Sequence, residues 1–177
     1  MEEHEPLPTR DFAFELLKKL KVPYQVRRHS IKVSEKALEI ANKITKAKVN
    51  KDLIEIGALL HDIGRSKTHS FKHAVIGGKI LKQMGFPESL VRICERHILG
   101  GLDKEDAAEV GLPPKDYIPQ TIEEKIICLA DKLTAGSKEV TITQRFEKWF
   151  SKYGKTKILI KSHKRIKEIQ KEIDSLM

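Results

Sequence analysis

The chain has 177 residues, of which 40% are apolar and 33% are charged. This length suffices for one compact domain with a hydrophobic core, and the composition is that of a globular protein rather than a disordered one. No run approaches the roughly 18 consecutive apolar residues of a membrane span, and the acidic start Met1-Glu-Glu-His-Glu-Pro lacks the apolar segment of a secretory signal. We therefore expect a cytoplasmic protein without a membrane partner.

The formal net charge is +9 and the isoelectric point is near 9.5. A basic surface concentrates anions and favours phosphorylated or polyanionic ligands, although a solvated lysine coat explains the same charge. Many Lys, Glu and Ile with few Asn and Gln indicate a thermophilic origin. Cys94 and Cys128 fall in apolar patterns without motif spacing. Buried free thiols are favoured there, and a disulfide stays open as the alternative.

In the first half of the chain the apolar periodicity predicts only helices. Thr9 is expected to cap a helix that Val22-Pro23 breaks, and Asn50 to cap a short apolar helix that Gly64 ends. The later predicted helices of this half cover residues 24 or 30 to 47, 51–62, 70–84 and 87–98.

The second half is expected to begin with a loop over residues 100–120, in which Asp103 caps a short helix. Thr121 is predicted to cap a helix over 122–135, Thr141 to start another, and a last helix to cover 156–176. No strand pattern, internal repeat or low-complexity linker is evident. The fold class predicted is all-α, with residues 1–177 forming a single helical domain.

Several titratable side chains are predicted to point at the core. Three histidines lie in line with apolar residues of their own helices, and His29 does so if its helix begins early enough. Asp62 falls between Ala58 and Leu59, and Asp131 lies on the second apolar side of a helix that is apolar on two sides. The set is His29, His61, Asp62, His73, His97 and Asp131.

Buried imidazoles and carboxylates without partners cost several kcal/mol, so they end up paired or bound to metal. One inward histidine is more often a hydrogen-bonded core residue than a ligand. Four of them with two aspartates, in a chain of seven histidines, favour a shared site. Mixed nitrogen and oxygen ligands suit Mn, Fe, Co, Ni or Zn and fit Ca poorly. Spacing alone thus predicts a metal site in a helical bundle.

The run Leu59-Leu-His-Asp-Ile-Gly64 resembles the HDIG form of the HD superfamily of metal-dependent phosphohydrolases. The resemblance covers about residues 25–140, which leaves about 141–177 as a C-terminal helical extension. It implies an HD-type bundle with the metal between central helices, held by His29, His61, Asp62 and Asp131. His73 and His97 resemble the second-metal ligands of two-metal members, with Asp62 bridging. The implied cofactor is one or two divalent ions of Mn, Fe, Co, Ni, Zn or Mg.

At two positions the sequence differs from particular members of the superfamily, and these differences narrow the range of expected substrates. HD-type 5′-nucleotidases carry Glu where Arg65 stands, which disfavours phosphomonoesterase activity. The HD-GYP cyclic-dinucleotide enzymes have a Gly-Tyr-Pro loop where this chain has Ile98-Leu-Gly-Gly, which disfavours their substrate. The chain is more similar to small stand-alone archaeal-type HDIG proteins, and distantly to HD hydrolases that cleave diadenosine tetraphosphate symmetrically.

The resemblance implies hydrolysis of a phosphoester or phosphoanhydride bond, of a nucleotide or dinucleotide, by water that metal activates at Asp62. Arg65 is predicted to clamp a phosphate, with a surface salt bridge as the alternative. Lys67 is predicted to contact the substrate and His69 to contact it or protonate the leaving group. His4 and His163 are expected to be exposed and uninvolved.

The rival hypothesis is a nucleotide- or nucleic-acid-binding module that keeps the metal site without turnover. Its support is a basic C-terminal run: Lys152, Lys155, Lys157, Lys161, Lys164, Arg165, Lys167 and Lys171. An apolar stripe through the same segment instead indicates a helix that packs on the core or forms a homodimer, with a solvated basic side. Because the segment lacks interleaved aromatic residues, nucleic acid is not favoured.

Overall fold

The computed structural model of the chain describes residues 6–177, and His4 lies outside that range. The described part is predominantly helical, as predicted. Its helices are α1 (Arg10–Lys19), α2 (Tyr24–Lys43), α3 (Lys51–Leu60), α4 (Lys72–Gln83), α5 (Glu88–Glu95), α6 (Lys104–Glu109), α7 (Ile122–Lys132), α8 (Ile142–Tyr153) and α9 (Lys157–Ser175). A 3₁₀ turn, Ile63–Ser66, follows α3, and a hairpin of β1 (Thr134–Ala135) and β2 (Lys138–Glu139) follows α7.

Four predicted N-caps are confirmed. Thr9, Asn50, Asp103 and Thr121 each accept a hydrogen bond from a backbone N–H in the first turn of their helix. Each such bond satisfies a donor that the helix leaves unpaired, typically worth about 1 kcal/mol.

The helix ends differ more from prediction than the starts do. Helix α5 ends at Glu95, so His97 lies just beyond it and not on a helix that continues to residue 98. The helix predicted over 122–135 stops at Lys132, and the chain turns back at Gly136, whose φ is +61°. The small β1–β2 hairpin around that glycine was not predicted, because two-residue strands carry no alternating pattern.

Helix α7 occupies the centre of the main hydrophobic cluster. Every side chain from Ile126 to Lys132 is buried, which confirms that this part of the helix is interior. Side chains of α2, α3, α8 and α9 pack on it in the same cluster. Both cysteines are buried free thiols, as favoured by the sequence.

The basic helix α9 packs against the core. A Cβ on Gly100 would come within 2.4 Å of the Ser162 carbonyl oxygen, so the two backbones touch. Lys161 and Arg165 pair with Asp103 and Asp106 at 2.6–2.9 Å, which ties α9 to α6. These two cations of the basic run are therefore engaged within the protein. Within residues 6–177, no helix combines the length and the hydropathy needed to cross a bilayer.

The expectation that His163 is exposed is wrong. Its ring stacks on Phe146 with the centroids 4.6 Å apart, and the side chain is half-buried. It lies four positions after Leu159 and three positions before Ile166, both buried, so it falls at the edge of the packed face of α9.

Candidate metal centre

Two glycines bring the His61–Asp62 doublet against α4. A Cβ on Gly64 would lie 1.8 Å from the carbonyl oxygen of His73, and one on Gly77 would lie 3.1 Å from the Gly64 nitrogen. Only glycine allows the 3₁₀ turn and α4 to approach this closely. Asp62, at the junction between α3 and the turn, has φ −102° and ψ 15°, a region of backbone conformation that active-site residues often occupy.

The structure brings four of the predicted ligands into one group. The His29 Nε2 atom lies 2.7 Å from Asp131 Oδ1 and 4.0 Å from Asp62 Oδ2. The His61 Nε2 atom lies 3.5 Å from each of those two oxygens. The cluster offers two nitrogen and two oxygen atoms to one point between α2, α3 and α7.

A second group shares Asp62 with the first. The other carboxylate oxygen, Oδ1, lies 3.1 Å from His73 Nε2 and 3.2 Å from His97 Nε2. The two histidine nitrogens are 3.1 Å apart. Asp62 thus presents one oxygen to each group of histidines. All six side chains predicted to converge lie in this cluster, although His97 reaches it from the segment after α5 and not from a helix.

Each imidazole is oriented by a backbone carbonyl group. The Nδ1 atoms of His29, His61, His73 and His97 lie 2.6–2.7 Å from the carbonyl oxygens of Gly136, Ala58, Ser70 and Cys94. A carbonyl oxygen can only accept, so each Nδ1 carries a proton and donates it. In the neutral ring, each Nε2 then turns a lone pair towards the carboxylates, as a metal ligand does.

Burial and neighbouring charges set the protonation of the cluster. Burial lowers the pKa of His97 to about 4, so its ring is neutral near pH 7. Burial would raise the pKa of Asp62 and Asp131, but the imidazoles around both and the Lys132 ammonium beside Asp131 outweigh it and hold both well below the usual range. Burial disfavours a charged His61, yet the same two carboxylates raise its pKa. The pair of buried carboxylates therefore attracts a positive charge, which a metal ion supplies.

Two buried atoms support that fit. The His61 Nε2 and Asp62 Oδ1 atoms are inaccessible to solvent and have no hydrogen-bond partner within residues 6–177. A buried polar atom without a partner costs about 1–3 kcal/mol, and more when it is charged. Because lone pairs of nitrogen and oxygen face one another within each of the two groups, a divalent cation in each group would satisfy one of these atoms. The residues present therefore fit a divalent metal, although they do not identify which one.

Lys132 is a component of the centre that sequence reasoning missed. Its side chain is 2% exposed, and its Nζ atom donates to Asp131 Oδ2 at 2.6 Å and to the His97 carbonyl oxygen at 2.5 Å. The ammonium engages the oxygen of Asp131 that faces away from His29, so Oδ1 alone faces the cluster. The sequence does place this lysine within an apolar helix segment. Because a buried ammonium needs an acceptor, that placement could have indicated a partner in the core.

The predicted substrate residues lie in different surroundings. Arg65 lines the cavity over the centre, with its Nε atom 3.2 Å from Asp62 Oδ1. His69 also lines this cavity and is exposed. Lys67 is exposed and is not among the cavity-lining residues. A 3₁₀ turn has three residues per turn, so Arg65 and Lys67, two positions apart, face different sides.

The cavity extends well beyond the histidines and aspartates. Its volume is about 760 Å³, and its lining includes Arg145, Trp149 and Tyr153 from α8. Small-molecule sites typically have about 300–1,000 Å³, so the space suits a ligand larger than a phosphate ion. No local pattern in the sequence indicated that α8 faces this cavity.

Comparison with known proteins gives a family and several relatives. The model of the HD domain family matches residues 26–136. An uncharacterized protein of Methanocaldococcus jannaschii is 46% identical over 151 residues, which are 84% of this chain and 88% of that protein. The tRNA (cytidine(56)-2′-O)-methyltransferase of Picrophilus torridus is 36% identical over 96% of this chain, and that of Thermoplasma volcanium is 41% identical over 78%. The matched part spans 48% and 40% of those two methyltransferases.

Among solved structures, the HD domain of the Listeria monocytogenes phosphodiesterase PgpH, in complex with cyclic-di-AMP, is similar with a TM-score of 0.53 and 23% identity. The match covers 92% of this chain and 95% of that one. At this identity the likeness shows a common fold.

Proposed function

The chain belongs to the HD domain family, and on that premise we propose that it is a metal-dependent phosphohydrolase. The reaction proposed is cleavage of a phosphoester or phosphoanhydride bond in a nucleotide or dinucleotide by water. The observation that carries the proposal is the cluster itself: four imidazoles with Nδ1 bound to carbonyl oxygens turn Nε2 towards two buried carboxylates at the end of a large cavity.

The proposed ligands form two subsites. His29, His61, Asp131 and Oδ2 of Asp62 would hold one divalent cation. His73, His97 and Oδ1 of Asp62 would hold a second. A divalent ion bound there polarises a phosphoryl oxygen and makes a water molecule more acidic.

The chain's own groups orient the substrate. Arg65 forms an ion pair with Asp62, with Nε 3.2 Å from Oδ1, and one terminal nitrogen donates to the His69 carbonyl oxygen at 3.4 Å. Further N–H groups of the guanidinium remain for a phosphate. Because both contacts fix the guanidinium beside Asp62, a phosphate bound by Arg65 would lie next to the proposed metal ligands. His69, on the same cavity wall, is the candidate to protonate the leaving oxygen.

The test is a hydrolysis screen over nucleotides, diadenosine tetraphosphate and cyclic dinucleotides, with Mn, Co, Ni, Fe, Zn and Mg each added. Cyclic dinucleotides are included because the PgpH domain binds one, although the Ile98-Leu-Gly-Gly loop disfavours them. Asp62→Ala should lose both activity and bound metal, because it removes an oxygen from each subsite. The exposed Asp52→Ala, on the preceding helix, is the matched control. An Asp62→Ala protein with normal metal content and turnover would refute the proposal.

A second candidate is an RNA-directed role, with or without turnover. It is favoured by the tRNA-modifying function named for two relatives, of which this chain matches about half. It is weakened because Lys161 and Arg165 of the basic run are engaged with Asp103 and Asp106. Binding to tRNA that falls by orders of magnitude between about 50 and 200 mM salt would favour this role. Absence of binding at about 50 mM salt would exclude it.

A further inference from the structure

We propose that Arg145, Trp149 and Tyr153 form a base-binding wall that holds the nucleobase of a nucleotide whose phosphate lies beside Asp62. The inference rests on the proposed function, because it takes a phosphate to occupy the end of the cavity at the metal centre. Arg65 and the metal ligands would recognise only the phosphate, and the wall would recognise the base of the same substrate. The wall lies on α8, outside residues 26–136 that match the HD domain family.

The three residues share one face of α8, since they are spaced four apart. All three line the same cavity as His29, Asp62 and Asp131. The guanidinium carbon of Arg145 lies 4.8 Å from the centroid of the Trp149 ring, so a cation and an aromatic ring stack side by side. The wall therefore offers flat surfaces within the cavity that the metal-centre residues also line.

The chemistry of these surfaces suits a nucleobase. Bases stack on tryptophan and tyrosine rings and on the plane of an arginine guanidinium. Trp149 is half-buried and Tyr153 is 58% exposed. Both rings line the cavity without filling it, so their surfaces remain accessible to a ligand. The Arg145 Nε atom is buried and has no hydrogen-bond partner within residues 6–177. An acceptor on a bound nucleotide would relieve that cost.

The size of the cavity supports a ligand that contacts both Arg65 and the wall. Its volume of about 760 Å³ lies in the upper half of the range for small-molecule sites. A phosphate held by Arg65 at the metal end leaves the space beside α8 free for a sugar and a base. A phosphate compound without an aromatic ring would leave the wall without a partner.

Trp149 is the chain's single tryptophan, so its fluorescence reports directly on the wall. The probes are AMP and ribose 5-phosphate, which differ only in the adenine, titrated into the Mg²⁺-supplemented full chain. Excitation at the red edge of the indole band avoids absorption by the nucleotide. We expect AMP to change the Trp149 emission and to bind about 5- to 150-fold more tightly than ribose 5-phosphate, the range that one base–aromatic stack supplies. Equal affinity and equal emission changes for the two probes would overturn the proposal.

Variants test the same residues by calorimetry, which needs no tryptophan. Trp149→Phe should keep most of the preference for AMP, and Trp149→Ala should lose most of it. Because Trp149 also packs against Phe146, with centroids 5.0 Å apart, Tyr153→Ala provides a second variant at an exposed position, and thermal unfolding checks that each protein is folded. Lys148→Ala, exposed on α8 and absent from the cavity lining, is the matched control that should leave the preference unchanged.

The outcomes separate this inference from the proposed function. Loss of the AMP preference in Trp149→Ala and its retention in Trp149→Phe would support the base-binding wall, even if no nucleotide were hydrolysed, in which case the phosphohydrolase proposal alone would fail. Retention of the full preference in both Trp149→Ala and Tyr153→Ala would overturn the wall. Hydrolysis of nucleotides at an unchanged rate would then leave the proposed function standing.

Discussion

Replacing Lys132 by methionine removes one charge from the centre while keeping most of the side-chain volume. The lysine is 2% exposed, and its Nζ atom donates to Asp131 at 2.6 Å and to the His97 carbonyl oxygen at 2.5 Å. Removing one partner of a buried ion pair costs about 3–5 kcal/mol, because the other charge stays buried without compensation. In a chain of this size each kcal/mol corresponds to about 2–4 °C in Tm. We expect Lys132→Met to lower the Tm of the metal-free protein by roughly 6–20 °C.

Added metal should restore part of the Tm that Lys132→Met loses. A divalent cation bound by Asp131 supplies positive charge to the same carboxylate that Lys132 neutralises, so the two are partly interchangeable. The rise in Tm on saturation with metal should therefore be larger in Lys132→Met than in the parent. The assay is thermal unfolding followed by circular dichroism, with the protein first stripped by a chelator and then titrated with Mn²⁺ or Zn²⁺.

The matched control is Lys125→Met on the same helix. Lys125 pairs with Glu172 at 2.8 Å, where the two side chains are 21% and 51% exposed. Such surface pairs contribute about 0–1 kcal/mol, so the Tm should move by no more than about 4 °C and the response to metal should be unchanged. A Lys132→Met protein within about 2 °C of the parent, or one whose deficit is the same with and without metal, would refute the electrostatic reasoning.

Three further predictions concern the metal count, acid stability and backbone packing. The double variant His73→Ala/His97→Ala should bind about one equivalent of metal where the parent binds about two and lose most turnover; a parent that saturates at one equivalent in metal-replete, anaerobic buffer would exclude the second subsite. Partial burial raises the pKa of Asp103, but the Asp106 N–H and the ion pairs with Lys161 and Arg165 outweigh it and hold that pKa below its usual range. Such a group stabilises the fold above its unfolded pKa of about 3.9 and loses this effect as the pH falls. Asp103→Asn, which can still cap α6, should therefore be less stable than the parent by about 1 kcal/mol near pH 7. A stability difference in urea unfolding that does not begin to narrow as the pH falls below about 4 would contradict this. Gly64→Ala should cost about 3 kcal/mol or more, because its Cβ would meet the His73 carbonyl oxygen at 1.8 Å. In the control Gly111→Ala the new Cβ faces open space, so only the φ of +79° is unfavourable, and the cost should be about 1–2 kcal/mol. Equal losses of Tm in the two variants would contradict the predicted clash between the Gly64→Ala Cβ and His73.

The sequence by itself determined the helices, their N-caps and the inward direction of the ligand side chains. Caps such as Thr9 and Asp103 act within one turn of helix, so their partners lie a few residues away in the sequence. An apolar stripe likewise fixes which side of a helix is buried, which is why His61 and His73 could be predicted to face the core. The helix ends were less predictable, because the position of His97 depends on how the chain turns after α5.

Only the tertiary structure decided what lies opposite each inward side chain. The carbonyl group that orients His29 belongs to Gly136, 107 residues later, in a hairpin too short to leave a pattern. The placement of Arg145 and Trp149 on the cavity wall likewise follows from how α8 packs. Periodicity reports the side of an element that avoids water and carries no information on which distant element covers it. For that reason the clustered histidines and aspartates could be predicted from the sequence, whereas the groups that orient them and the part of the cavity lining that α8 supplies could not.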